Sequence, residues 1–282
     1  MSVEDESPNL SIVGERSPVW KAPISHIGDI ISNSFLVRNL VRSQIRGKFR
    51  NAMLGYAWSV IEPTLLSVVY YFLFSMLAGN PDQYYAVWVL IGVIIWGCFG
   101  KSLMASVTSL SGNSRMIHLV FFPRIIFPTT AVCANIVLTA MSSLVVIPII
   151  LYYDFTLSIH IILIPISILM AGFLGIGLGL IFAPMNCVQK DVEHLFRFIV
   201  RAGFFVSPVM WTYEMALERG VGQVVLWNPM VAPITIARHG LSGKWPDLPF
   251  EALLWSFGFA LLMWIIGSIV FHKYESAAVK HL

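Results

Sequence analysis

Six stretches of this chain are apolar for as long as a helix needs to cross a bilayer. Roughly 20 consecutive apolar residues, rising about 1.5 Å each, traverse a hydrocarbon core about 30 Å thick. Inside such a core each backbone group must find its partner within the segment, so each stretch is predicted to be a helix. The stretches are 57–78, 84–107, 125–151, 160–183, 195–211 and 250–271; the fifth is short unless it begins near Lys190. Composition agrees: 57% of the 282 residues are hydrophobic and only 12% are charged. Soluble domains carry about twice that charge. The fold class expected is an all-α integral membrane protein with six transmembrane helices.

The basic residues set the direction. Fourteen Lys and Arg fall before the first span, in the second–third and fourth–fifth connections and in the C-terminal tail. Only Arg219, Arg238 and Lys244 lie on the other side, with Lys101 inside the second span. Excess positive charge marks the cytoplasmic side, so both termini are expected inside. The N-terminus, with Glu4, Asp5 and Glu6, has no apolar run and does not read as a secretory signal. Residues 1–28 are expected to be a mobile cytoplasmic tail. Cys98, Cys133 and Cys187 are odd in number and imply no disulfide framework. The net charge of +3 gives no reason to expect nucleic acid as a partner.

Four features lie outside the spans of the permease-sized domain 54–282. Residues 29–53 pattern as an amphipathic helix, with Ile30, Ile31, Phe35, Leu36 and Leu40 opposite Arg38, Arg42, Arg46 and Arg50. That pattern suits a helix lying in the membrane interface, or simply charge obeying the inside rule. The connection 109–124 carries Ser114, Arg115 and His118, then Leu119, Val120, Phe121 and Phe122 before Pro123 and Arg124. Such an apolar run needs a cover, either lipid or a protein groove that accepts a short helix. The connection 184–198 is short and charged. Residues 212–249 hold two apolar pieces, 214–226 and 229–241, either two re-entrant helices or an ordinary outer loop.

No catalytic constellation emerges. A GxxxxGK[ST] phosphate loop, an HExxH and a CxxC are all absent from the sequence, so ATP is not bound by that loop and no metal site is expected. Gly172, Gly175, Gly177 and Gly179 lie within a span without a preceding strand, which favours close helix packing over nucleotide binding. Charged groups in spans are functional candidates because their burial is expensive. Glu62 is either a structural pin or a ligand, and Lys101 is expected to snorkel inward along its stem. Arg197 and Arg201, four apart on one helix face, could grip a phosphate bidentately or serve lipid headgroups. Tyr70, Tyr71, Phe74, Phe204 and Phe205 could stack on sugar rings or simply face lipid.

Several motifs, taken together, resemble one family. Lys48-Phe49-Arg50, Leu54-Gly55-Tyr56-Ala57-Trp58 and Glu62-Pro63 resemble the basic, LGxxW and Pro approach to the first span of polysaccharide ABC exporter permeases. That family handles O-antigen, capsule, teichoic acid and galactan, within the type-2 ABC transporter superfamily. Phe122-Pro123-Arg124 with Pro128 is similar to its second–third connection, and Lys190-Asp191-Val192 to its Arg-Asp-Val signature. Ser207-Pro208-Val209 and Asn228-Pro229-Met230, with Arg238 downstream, match its outer segment. Phe49 replaces a common Tyr and Lys190 a usual Arg. The likeness runs from about residue 38 to the C-terminus.

The resemblance implies a transport subunit rather than an enzyme. Two copies would pair with two separate ATP-binding cassette subunits, which would hold ATP and Mg; this chain would need no cofactor. Ser114, Arg115, His118, Phe121, Phe122, Pro123 and Arg124 would form the coupling segment. The cargo would be a lipid-linked glycan on a polyprenyl pyrophosphate, met by Arg46, Lys48, Arg50, Arg197 and Arg201. Tyr70, Tyr71, Phe74, Phe204 and Phe205 would border its tunnel, and the setting would be a bacterial inner membrane. A drug or lipid exporter of the same superfamily is the alternative. A membrane-embedded transferase predicts an acidic and His cluster at one face, and only Asp191, Glu193 and His194 approach one.

Overall fold

The computed structural model describes residues 18–78, 84–119, 122–153, 155, 158–243, 245 and 248–281. Among them every regular element is a helix. The order is α1 (Ala22–Ser32), α2 (Ser34–Lys48), α3 (Trp58–Ala78), α4 (Tyr85–Val107), α5 (Ser114–Leu119), α6 (Ile126–Ser142) and α7 (Val146–Tyr152). Then come α8 (Leu163–Val188), α9 (Asp191–Val206), α10 (Tyr213–Glu218), α11 (Gly222–Val225), α12 (Val231–Ser242) and α13 (Phe250–Val279).

Among the described residues four helical spans, two of them including a 3-10 turn, are long and apolar enough to cross a membrane. They are Tyr85–Val107, Ile126–Tyr152, Ile159–Val188 and Phe250–Val279. The second joins α6 to α7 through a 3-10 turn at Ser143–Val145, and the third extends α8 backward by another. α3 has 21 residues and carries Glu62; α9 has only 16, about 24 Å of helix. Of the six expected spans, four are thus met by this measure.

α8 and α4 form the centre. α8 packs on α13, α4, α12 and α6, while α4 also meets α3 and α9. In α4, 78% of the most apolar stretch is buried, against 22% in α13, so α4 is a post and α13 an outer wall. The glycines of α8 explain the close approach, as the sequence pattern suggested. A Cβ at Gly175 would come within 2.8 Å of Ser102 and 3.0 Å of the Leu103 nitrogen on α4. At Gly177 it would meet the Trp264 backbone of α13 at 2.8 Å, and Gly267 answers from the other side against Gly177. Helix backbones touch there because small residues let them.

Several boundaries differ from the sequence expectation. The N-terminal helix starts at Ala22 rather than at 29, breaks at Asn33 and ends at Lys48 rather than at 53. Pro23 sits in its first turn, where the missing N–H costs nothing. So 22–28, assigned to a mobile tail, is helical, and Ala22 and His26 are buried beside α13. Residues 1–17 lie outside the described residues. The charged connection 184–198 shrinks to Gln189-Lys190, because α8 runs through Pro184 to Val188 and α9 begins at Asp191. α9 stops at Val206, not 211, since Pro208 drives Ser207 into an extended conformation (φ −89°, ψ 155°). The last helix reaches Val279, beyond the expected 271. The 212–249 region does break at Trp227-Asn228-Pro229. Its second piece, α12, is buried along most of its length against α8 and α4.

Candidate functional site

The most completely bonded polar group lies in α12. Arg238, 5% exposed, donates from Nε to the Trp88 carbonyl at 3.0 Å. Its Nη1 donates to Trp211 at 3.0 Å and its Nη2 to Val209 at 2.8 Å. One guanidinium thereby ties α12 to the first turn of α4 and to the turn that follows α9. Only its planar fork of donors can reach three carbonyls at once. Tyr85 adds a bond to the Met210 carbonyl, and Asn228 Nδ2 donates to Ser207 Oγ at 2.8 Å. Gly92 leaves the room: a Cβ there would sit 2.8 Å from the Val209 oxygen and 3.0 Å from Arg238 Nη2. Beside this knot opens a cavity of about 360 Å³ edged by Trp88, Glu214, Thr235 and His239. Arg238 was not among the sequence-derived site residues, although it belonged to the motif.

A second polar cluster joins α2, α3 and α4. Lys101 Nζ lies 3.4 Å from Glu62 Oε2, so the two span charges offset one another. Lys48 lines the same small crevice with Asn135, Thr139 and Ser142. Burial, and then the nearby Lys101, holds the Lys48 ammonium below the ordinary lysine range, against the pull of Glu62. Of the five proposed phosphate groups, Lys48 therefore sits with Glu62 and Lys101. Arg46 and Arg50 are exposed on the neighbouring turns, and Lys48 too keeps part of its surface open.

Arg197 and Arg201 are carried elsewhere, on α9, and both are exposed. Arg197 is ion-paired with Glu193 one turn back. α9 buries its other side: Phe196 packs on Phe182 of α8 at 4.5 Å, and Val200 and Gly203 face Gly100 and Trp96 of α4. By helical spacing Arg201 shares its face with Phe198 (66% exposed) and Phe205 (58%).

The proposed tunnel aromatics are partly brought together. Tyr70 of α3 and Phe204 of α9 stand 4.9 Å apart, and Phe204 meets Phe205 at 5.3 Å. Tyr71 turns instead toward Tyr85 of α4, 6.3 Å away. The side chain of Phe74 lies outside the described residues. Along α3, Leu65, Val69, Phe72 and Met76 form an exposed stripe next to the Tyr70–Phe204 contact.

The second–third connection is anchored at both ends, and Ile117 between them packs on the core. Asn186 of α8 donates to Ser111 Oγ at 3.1 Å, just before α5. Arg124 donates to Ser276 at 3.0 Å and lies 3.7 Å from Glu275, both on α13. Between them Arg115, Met116 and Leu119 are exposed, and Ser114 is half-buried. Pro123 is half-buried, and the Phe122 ring meets Phe127 at a tilt, 5.2 Å between centroids. Phe121 and the His118 side chain lie outside the described residues. Arg124 thus serves the fold as a tie. Among the described residues no three His, Cys, Asp or Glu side chains gather as a metal site.

Comparison with known proteins places this architecture. The chain is 23% identical over 239 residues to the O-antigen export system permease protein RfbA of Klebsiella pneumoniae, covering 83% of this chain and 90% of the relative. It is 23% identical over 249 residues to RfbA of Myxococcus xanthus (86% and 94% covered). It is also 23% identical over 255 residues to the polysialic acid transport protein KpsM of Escherichia coli (86% and 94%). Residues 36–241, from α2 to the end of α12, match the ABC-2 type transporter family, and the chain belongs to that family.

Proposed function

We propose that this chain is the membrane permease of a polysaccharide exporter in a bacterial inner membrane. α3 and α9 complete six spans, with both termini inside and the α10–α12 region entering from outside. Two copies meet along α3 and α9 and work with two ATP-binding cassette subunits, where ATP and Mg are held and hydrolysed. The cargo is a glycan on a polyprenyl pyrophosphate, taken up on the cytoplasmic side and passed outward between the two copies.

One observation carries this reading: the face shared by α3 and α9. Its apolar stripe, the Tyr70–Phe204 contact and Arg201 beside Phe198 and Phe205 combine greasy surface, stackable rings and cationic groups. A hydrocarbon-soluble carrier bearing phosphate and sugars presents those three chemistries. The relatives' names supply the cargo class, and exposed Arg115, Met116 and Leu119 supply a place for an ATPase to dock. Drug or lipid export by a member of the same family is the alternative, and the matched relatives, named as O-antigen and polysialic acid exporters, favour glycan over it.

The test is a double replacement, Arg197→Gln with Arg201→Gln, in cells that depend on this chain for surface glycan. Export should fall at least roughly tenfold, the loss expected when a charge-assisted phosphate contact is removed. Protein level and ATPase assembly should stay unchanged. Normal surface glycan in that variant removes both arginines from the cargo path.

A further inference from the structure

A cleft of about 560 Å³ runs between α1, α6, α8 and α13, on helices other than α3 and α9. Its lining is almost wholly hydrocarbon, including Ile136, Leu169, Phe173, Phe257 and Trp264. Three of its four walls are membrane-spanning helices, so its open side looks into the bilayer. Water does not fill such a surface, and a cavity of that size is in the range of a ligand site.

The cleft has one polar end. His26 of α1 is 3% exposed and lines it, and its Nδ1 has no hydrogen-bond partner. A buried polar nitrogen left without a partner costs free energy, so the site calls for a group that bonds to it. The ring touches Phe271 edge-on at 6.1 Å and His272 at 5.6 Å. Burial, then His272, lowers its pKa to about 4, so it is a neutral imidazole that takes part in hydrogen bonding rather than charge pairing. Lys21, just before α1, and Lys273, beside His272, are exposed at this same end. From His272 to Phe257 is about 22 Å along α13 at about 1.5 Å per residue. A lipid tail entering from the interface would pass the middle of a hydrocarbon core about 30 Å thick.

We infer that this cleft is a binding site for one bilayer glycerophospholipid. One of its acyl tails lies along α8 and α13, its glycerol ester region bonds His26, and its phosphate faces Lys21 and Lys273. A helix of a second copy, about 10–12 Å across, is too thick for a cleft of this volume. The site rests on the placement of these helices in a membrane and is independent of the cargo.

The probe is the full chain purified in mild detergent, with bound phospholipid counted by native mass spectrometry during stepwise delipidation. The wild type should keep a phospholipid after the bulk lipid is gone. Cys133→Trp, which fills the cleft wall, should lower that occupancy roughly tenfold, while Cys133→Ala should not. Leu169→Trp, on the open side, should act like Cys133→Trp should that variant fail to fold. His26→Leu should shed the lipid several-fold faster, about the worth of one hydrogen bond. A wild type that retains no phospholipid, or Trp variants as loaded as the wild type, overturns the site. So does unchanged lipid content together with a Trp variant that splits a dimer, which would make the cleft a contact between copies.

Discussion

The Arg238 knot and the α3–α9 face are both built largely from ring-bearing and aliphatic residues, yet they differ in completeness. At the knot three carbonyls, a phenol and an amide are matched to donors or acceptors within one chain. Along α3 and α9, Met76 is 85% exposed, Val206 68% and Phe198 66%. The first region is finished by folding; the second is finished only by bilayer or partner. Changes at the knot should therefore act on the stability of the single chain, and changes on the face on what it associates with.

The sharpest break would come from Arg238→Met. Three carbonyls would lose their donor at once, and the loss should be about 3–9 kcal/mol at about 1–3 per orphaned group. Thermal unfolding in detergent should show it, and Arg238→Lys should restore only part, since one ammonium cannot span three acceptors.

Acid should act next, at the other end of the molecule. His26 has a folded pKa of about 4, below its ordinary value of 6.5, so the unfolded state binds the proton more readily. Docking of α1 is then at full strength above about pH 6.5 and weakens as pH falls toward 4, by up to about 3 kcal/mol. Asp29 and His272 share this corner, and burial raises the Asp29 pKa while His272 opposes it. Hydrogen exchange at 22–32 should rise across that window, and His26→Leu should flatten the dependence.

A smaller effect is expected from Gly92→Ala, whose added methyl group presses on Val209 and Arg238. A cost of about 1–3 kcal/mol is typical of such overpacking, readable in the same unfolding experiment. The smallest stability change belongs to Phe72→Ala or Phe205→Ala on the open face. Each should alter single-chain unfolding by no more than about 0.5 kcal/mol. If they form the contact between copies, cross-linking of pairs should fall; a large loss of single-chain stability would erase the contrast drawn above.

The spans of α4, α6–α7, α8 and α13 were legible because lipid imposes one rule, a long apolar helix with internal bonds. The glycines of α8 were legible for the same reason, since small residues within a span have few other uses. The start of α1 was missed because its apolar and basic pattern reads only from residue 29; Pro23 is at home in the first turn of a helix that begins at Ala22. The fourth span was expected to end at 183, but a membrane helix can carry Pro184 where neighbours cover the freed carbonyl. Arg238 escaped because its partners are 27, 29 and 150 residues away. Periodicity sees only neighbours, and charge counting filed this residue with ordinary outer-loop cations. The motif ending in Arg238, together with Gly92 inside a span, was the available sign. Among site residues, Tyr70 and Phe204 do meet, whereas Tyr71 and Arg124 serve the scaffold.

α8 presses bare backbone against α4 on one side and α13 on the other, at Gly175 and Gly177. Helices seated backbone to backbone cannot twist past one another without gaining a clash, so these three are expected to stay together as a single keel. Whatever opening a passage through this molecule requires is left to the elements held by side chains alone, α3 and α9. Between the keel and the second of them stands a hinge of only Gln189 and Lys190.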